Sequence, residues 1–308
     1  MTALLSYLIF PGFVFTAAAA MLVHWIDRKI TARIQWRVGP PPLQPAYDLL
    51  KLLGKETLVP NGSPAATFLA APMLGLAAVA AVSTLAWRAM LWPAQGFLGD
   101  LIVLVYVLML PSLSVILGGF ASGNPVASLG ASREMKLMVA DELPFLLAVL
   151  VPVIHSGGAI RLGELVEHQQ SAGMTAASVS GGLALVVAIL AVQAKLTLVP
   201  FDSPEAETEI MGGPYTEYSG PPLAAFRLTR MMMHFALPSV VVLLFLGGVR
   251  FEGVSIVWSL LKILAVLLVL TLLRNTNPRV RIDQAVKFFW GPVTAVAVAA
   301  VVLALLGY

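Results

Sequence analysis

The chain of 308 residues contains no cysteine. It therefore cannot form a disulfide, ligate an iron–sulfur cluster through thiolates or bind nickel through sulfur. Histidine is scarce: His24, His155, His168 and His234 are the four present. None pair at metal-ligand spacing, so no metal is expected, and His24, His155 and His168 read as interfacial or loop residues without a role. No Walker A motif, no glycine-rich nucleotide fingerprint in a strand–helix setting and no Ser–His triad occurs, so no catalytic residue is assigned. No basic segment precedes the first apolar stretch, so that stretch is expected to be a retained transmembrane helix rather than a cleaved signal. The alternation of a membrane barrel is absent. So are repeats, linkers and low-complexity tracts, and residues 1–308 are expected to form one membrane domain.

Charge is also sparse. Only 11% of residues are charged against 59% hydrophobic, and the mean hydropathy of +0.90 lies outside the range of soluble domains. The expected fold is an all-α polytopic membrane protein. Eight spans are read at about 3–26, 64–87, 98–120, 136–156, 177–199, 223–248, 254–273 and 286–307, each near the ~20 residues that cross a bilayer. Seven or nine spans are the alternatives, and the segment 136–156, with Pro144 and Pro152, is where the count turns. The net charge of +3 marks loops rather than nucleic acid, because basic residues collect on the cytoplasmic side. Fifteen of the nineteen Lys and Arg fall in the odd-numbered connections, leaving Arg88, Arg161 and Arg250 opposite and Lys262 within a span. That distribution places both termini outside.

After Pro40-Pro41-Pro42, residues 45–56 read as an interfacial amphipathic helix, with Leu49, Leu50, Leu52 and Leu53 on one side and Asp48, Lys51 and Lys55 towards the other. Residues 125–138 read as a cytoplasmic approach to the fourth span.

The acids are concentrated where the apolar runs break. Asp202, Glu205, Glu207, Glu209 and Glu217 occupy one loop, five of sixteen acids in the chain. Pro200 is expected to end the fifth helix, and Asp202 or Ser203 to cap a two-turn helix near 204–211 that Gly212-Gly213 ends. Glu205 and Glu209, four apart, would share a face and repel. Repulsion and desolvation would raise carboxyl pKa values towards those of a proton relay. A solvated acidic loop is the alternative. Asp141 and Glu142, expected about one turn inside the fourth span, would face the bundle interior or a wet cavity, or else the interface. Lys195 can pair with Asp202 or Glu142, Lys262 can pair internally, and Asp100 reads as an interfacial cap. Arg227, Arg230 and His234, expected in the first turns of the sixth span, read as a basic helix end or as counter-charges to the acidic loop.

These segments together resemble a known family. Arg37-Val-Gly-Pro-Pro-Pro-Leu-Gln-Pro-Ala-Tyr-Asp-Leu-Leu-Lys-Leu-Leu-Gly-Lys-Glu56 is similar to the first cytoplasmic loop of the complex I subunit 1 family. Pro200-Phe-Asp-Ser-Pro-Glu-Ala-Glu-Thr-Glu209 and Glu217-Tyr-Ser-Gly220 resemble its acidic loop, and Pro278-Arg-Val-Arg-Ile-Asp-Gln284 its penultimate loop. Gly213-Pro-Tyr-Thr-Glu-Tyr-Ser-Gly220 and Ala131-Ser-Arg-Glu-Met-Lys136, followed by Asp141-Glu142, are similar to the membrane-anchor subunit of energy-converting, group 4 membrane-bound [NiFe] hydrogenases. The resemblance implies a non-catalytic subunit in the cell membrane that couples electron transfer, linked to ferredoxin or H2, to proton or sodium translocation. It implies a relay of Asp141, Glu142, Asp202, Glu205, Glu207, Glu209 and Glu217, with Lys195 and Lys262. It implies docking of a redox arm by Arg33, Arg37, Lys51, Lys55, Arg227 and Arg230. The implied partners are hydrogenase-like large and small subunits, a ferredoxin-like iron–sulfur subunit and antiporter-like membrane subunits. [4Fe-4S] clusters and the nickel–iron centre would lie in those partners. The quinone-site subunit of a complex I-like oxidoreductase is the alternative, with the first span and amphipathic helix lining a quinone passage.

Overall fold

The structure, a computed structural model, describes residues 2–251 and 253–308, with side chains from residue 4 onward. Among the described residues every regular element is helical, as hydrocarbon demands of a chain that must satisfy its own backbone. Helices α1 (Thr2–Leu8) and α2 (Phe13–Ile34) form the first crossing, and α3 (Gln44–Leu53) is a short helix in the first loop. Crossings follow as α4 (Ala65–Leu91), α5 (Asp100–Ala121) and α6 (Pro125–His155). Helix α7 (Leu162–Ala172) precedes α8 (Val179–Lys195), and the four-residue α9 (Glu207–Ile210) precedes α10 (Gly220–Phe245). Then come α11 (Ser255–Thr276) and a last crossing built from α12 (Ile282–Phe288), a π turn at Phe289–Val293, and α13 (Thr294–Leu305). Seven of these segments are long and apolar enough to span a membrane, and the 17-residue α8 is the shorter eighth.

Helix α10 is the axis. Every residue from Met231 to Phe245 is buried, and α10 packs on α2, α4, α8 and α11. A second group joins α6, α8 and α13, while α5 connects the two by packing on both α4 and α6. Alternate connections gather at the same end of the bundle. The loops after α2, α5, α8 and α11 touch one another: Ser219 donates to the Glu56 carbonyl at 3.1 Å, Asn124 to Glu217 at 2.6 Å, and the Val280 N–H to the Pro200 carbonyl at 2.9 Å. This is the basic end. At the opposite end, Ser180 at the start of α8 donates to the Tyr308 carbonyl at 2.5 Å, and the Leu162 N–H of α7 is capped by Asp100 at 2.7 Å. Asp100 thus caps a neighbouring helix rather than its own.

Several boundaries differ from the expected ones. Helix α6 begins at Pro125, where Asn124 caps it through the Val126 N–H at 2.8 Å. The expected approach segment is therefore continuous with the span, and Asp141 lies four turns from the helix start, not one. Helix α2 runs to Ile34 and carries Arg28, Lys29 and Arg33, which were expected in a loop. Helix α8 stops at Lys195, five residues before Pro200. Residues 196–201 unwind inside the protein, with Thr197 in the left-handed region at φ 47° and the Gln193 amide donating to the Val199 carbonyl at 2.7 Å. Helix α10 begins at Gly220, so Arg227, Arg230 and His234 lie two to four turns in. On α3 the leucines divide: Leu49 is buried and Leu52 packs on the core, while Leu50 and Leu53 are exposed.

The acidic loop is clamped to α6 by a missing side chain. A Cβ on Gly130 would stand 2.5 Å from Pro214 Cδ and 2.8 Å from Gly213 Cα. Overpacking of that kind costs about 1–3 kcal/mol. Gly130→Ala is expected to lift the 203–219 loop and speed its cleavage by protease, with helix content by circular dichroism unchanged. Cleavage at the wild-type rate would count against the clamp.

Candidate functional site

Where α8 ends against α6, three charges meet. Lys195 Nζ donates to Glu142 Oε2 at 2.6 Å and lies 3.0 Å from Asp141 Oδ2. The lysine and aspartate side chains are 4% and 1% exposed, and Glu142 13%. A buried charge requires a partner, and one ammonium here faces two carboxylates. The Phe145 ring lies 5.0 Å from the same Nζ. The expected pairing with Glu142 is present. The alternative, Asp202, is instead gripped by Arg279, with Nε at 2.8 and 2.9 Å from its two oxygens and Nη2 at 2.5 Å.

Lys195 also borders a cavity of about 40 Å³ that it shares with Ser112, Glu134, Thr197, Glu205, Tyr215 and Arg230. That volume has room for roughly two or three waters. Glu134 is buried, 4% exposed, and one of its oxygens has no hydrogen-bond partner among the described residues. Glu205 pairs with Arg230 and accepts from Thr197 Oγ1 at 3.1 Å. Burial, with Glu205 beside it, pushes the Tyr215 phenol well above its ordinary value, so it remains a protonated donor at neutral pH.

Arg230 borders two further cavities. One, of about 220 Å³, reaches Glu207 and Arg227. The other, of about 250 Å³, is lined by His24, Arg28, Asp48, His234 and Arg274. Beside the latter, Asp27 is buried between Arg274 Nη1 at 2.9 Å and Thr271 Oγ1 at 2.7 Å. The His24 and His234 rings meet edge to face, with centroids 6.4 Å apart.

The two-turn acidic helix does not form. Ser203–Glu205 is a 3₁₀ turn and α9 a single turn, broken at Ala206, where no side chain caps the start. Glu205 and Glu209 consequently part company: Glu205 turns inward to Arg230, and Glu209 outward to Arg133 at 2.7 Å. That bond to Arg133 holds the Glu209 carboxyl below the usual carboxylate range. Glu217 accepts from Asn124, and Glu207 is exposed. Arg33, Arg37, Lys51, Lys55 and Arg227 are exposed at the basic end. Lys262 does not join the others. It donates to the Leu246 carbonyl at 2.5 Å, at the opposite end of the bundle.

Sequence reading missed Glu134, Asp27 and Arg274, and gave no role to His24. The signal for Glu134 was its spacing: Ala127, Glu134, Asp141 and Ala148 are seven apart on the buried stripe of α6. Starting the span at 136 hid it. Asp27 and Arg274 meet only through the packing of α2 on α11, which no local pattern records. Among the described residues no group of three or more His, Asp or Glu is placed to hold a metal ion.

An apolar helical bundle with paired ionisable groups in its interior defines a multi-pass membrane protein. The model of the NADH dehydrogenase family matches residues 7–305, and the chain belongs to that family, the family of complex I subunit 1. It is 37% identical over 298 residues to an NADH-quinone oxidoreductase subunit of Syntrophotalea carbinolica, covering 91% of this chain and 88% of that one. The corresponding NADH-quinone oxidoreductase subunit of Bacillus mycoides is 33% identical over 290 residues, covering 90% and 86%. Among solved structures, a chain of the membrane-bound sulfane sulfur reductase, an archaeal respiratory membrane complex, superposes with a TM-score of 0.85 at 30% identity, covering 99% of this chain and 100% of that one.

The triad at the end of α8 generates a stability test. Lys195→Met leaves two buried carboxylates without their cation, at a cost of about 3–5 kcal/mol when one partner of a buried pair is removed. The melting temperature of the purified protein should fall, and adding Asp141→Asn and Glu142→Gln should restore part of it. Equal melting of Lys195→Met and wild type would show the pairing to be dispensable.

Proposed function

We propose that the chain is the membrane-anchor subunit of a respiratory complex in the cell membrane, seating a redox arm at its basic end and coupling electron transfer in that arm to proton or sodium translocation. The observation that carries this reading is the series of polar groups that line adjoining cavities inward from the basic end: Glu207 and Arg227, then Arg230, Glu205 and Tyr215, then Glu134, then Lys195, which pairs with Asp141 and Glu142. Ionisable groups inside a membrane protein are costly, and they mark ion pathways. A proton arriving at one carboxylate of the triad weakens its hold on Lys195 and strengthens that of the other, so the ammonium can relay a charge shift without leaving its site. Asp202, Glu209 and Glu217, each held by Arg279, Arg133 or Asn124, shape the loop in this reading. Lys262 takes no part in it.

The arm is hydrogenase-like in this proposal, with large and small subunits and a ferredoxin-like subunit that carry the nickel–iron centre and the [4Fe-4S] clusters, and antiporter-like subunits adjoin the chain in the membrane. The absence of cysteine is consistent with that division. The basic residues of the odd connections support a cytoplasmic docking face, with both termini outside in this reading. A second reading has its own support. The relatives named as subunits of NADH-quinone oxidoreductase favour a quinone site, and the cavity between α2, α3 and α10, lined by His24, His234 and Arg274, is where a quinone headgroup would find both a donor and an acceptor.

Glu142→Gln is expected to leave the complex assembled, since the amide still accepts from Lys195, and to reduce coupled ion uptake into vesicles at least about tenfold, towards the 10²–10⁴-fold range of a lost proton-transfer group. Uptake at the wild-type rate would remove Glu142 from the route. Reversing charge at Arg37 and Lys51 should release the soluble arm from membranes at moderate salt. An arm that survives salt washing of this double variant argues against docking through the first loop. Quinone-dependent turnover of the purified complex, with no nickel in it, would select the second reading.

A further inference from the structure

The opposite end of the bundle carries two cations that the proposed route leaves unused. Arg250 lies in the turn between α10 and α11, and Lys262 lies two turns into α11. Both line a cavity of about 290 Å³ together with Gln169, Gln170, Trp258 and Ser259. No carboxylate occurs among its described lining residues, and among the described residues neither cation takes part in an ion pair. Two like charges in one partly enclosed space repel unless an anion lies between them.

The cavity walls are fixed by hydrogen bonds that leave donors over. Gln169 spans three segments: its amide nitrogen donates to the Leu243 carbonyl at 3.0 Å, and its oxygen accepts from the Gly247 N–H at 2.9 Å and the Thr175 N–H at 3.5 Å. Among the described residues Lys262 donates once, to the Leu246 carbonyl at the end of α10. Arg250 donates from Nη2 to the Gln170 carbonyl at 2.9 Å, and its backbone N–H is held by Ser259 Oγ at 2.9 Å. An ammonium has three N–H donors and a guanidinium five, so each head retains capacity for an acceptor.

The rim of the cavity is apolar. Trp258 is 66% exposed and lies four residues before Lys262, on the same face of α11. Val254, Val257 and Leu261 beside it are exposed as well. A tryptophan at the end of a spanning helix sits at headgroup depth. A soluble anion would use the two cations and leave this rim bare, whereas a phospholipid uses both.

We infer that this cavity binds the headgroup of an anionic phospholipid. Arg250 and Lys262 hold the phosphate oxygens, and Trp258 packs on the glycerol and the first acyl carbons. The site lies at the other end of the bundle from the docking face and does not depend on which redox arm the complex carries.

The test uses the intact complex, purified in mild detergent and returned to nanodiscs of phosphatidylcholine with a minor fraction of phosphatidylglycerol. Native mass spectrometry counts the lipid retained by wild type, Arg250→Gln, Lys262→Met and the double variant. Wild type should retain a phosphatidylglycerol that the double variant lacks. Each single substitution should weaken retention about tenfold, as loss of a hydrogen bond to a charged group does, and excess inorganic phosphate should not displace the lipid. Arg250 is exposed, so Arg250→Gln reads the site even where Lys262→Met does not assemble. Equal retention by wild type and Arg250→Gln overturns the proposal. So does displacement by inorganic phosphate, which would make the cavity a soluble-anion site, and so does equal retention of phosphatidylcholine.

Discussion

One ammonium buried between two carboxylates sets the terms for the rest of the molecule. Lys195 cannot be charged at the end of α8 without Asp141 and Glu142, and they cannot both be charged without it. The constraint fixes the depth at which α6 and α8 cross. Helix α6 runs past the end of α8 by four turns, and those turns carry Glu134 and Gly130 into the same interior. The constraint also explains why residues 196–201 unwind inside the protein rather than in lipid. Irregular backbone at that depth is tolerated only where protein satisfies it, and Gln193, Arg230 and the cavity beside Thr197 do so.

The acidic loop is held in place chiefly by cations of other elements. Arg133 of α6, Arg230 of α10 and Arg279 of the turn after α11 each take one acid, while Asn124 takes a fourth and caps α6 with the same side chain. Partly exposed pairs of this kind add little stability singly. Their effect lies in geometry: they direct Glu205 inward and Glu209 outward although the two are four residues apart. Arg230 then borders three chambers, a narrow one towards Glu134, one towards Glu207 and one towards His234 and Arg274. A change in the charge of any of them is felt by the same guanidinium.

The helices were legible in the sequence because lipid leaves so few alternatives, and each of the eight apolar runs is a helix, seven of them long enough to span a membrane. The ends were not. Pro200 suggested where α8 stops, but a lysine seeking two acids stops it earlier. The pairing of Lys195 with Glu142 could be anticipated, since a buried cation has few possible partners, yet the equally plausible partner Asp202 went to Arg279, which lies 77 residues away. Glu134 was hidden by a misplaced boundary, although its seven-residue spacing from Asp141 was present in the sequence. Asp27 with Arg274, nearly the length of the chain apart, left no local trace. Lys262 looked like a member of the interior set because it sits within an apolar run, but the direction of α11 carries it to the other end.

The short eighth helix has an electrical consequence. A run of 17 residues covers about 25 Å at 1.5 Å per residue, less than the ~30 Å of a hydrocarbon core. Below its end the chain supplies polar groups and a cavity in place of lipid, so the insulating layer is thinner along this line than around the rest of the bundle. A transmembrane voltage therefore falls more steeply between Lys195 and the far surface than it does across the neighbouring hydrocarbon. A charge displaced through the same number of ångströms there does more work against the membrane potential than one moved through the thicker hydrocarbon beside it.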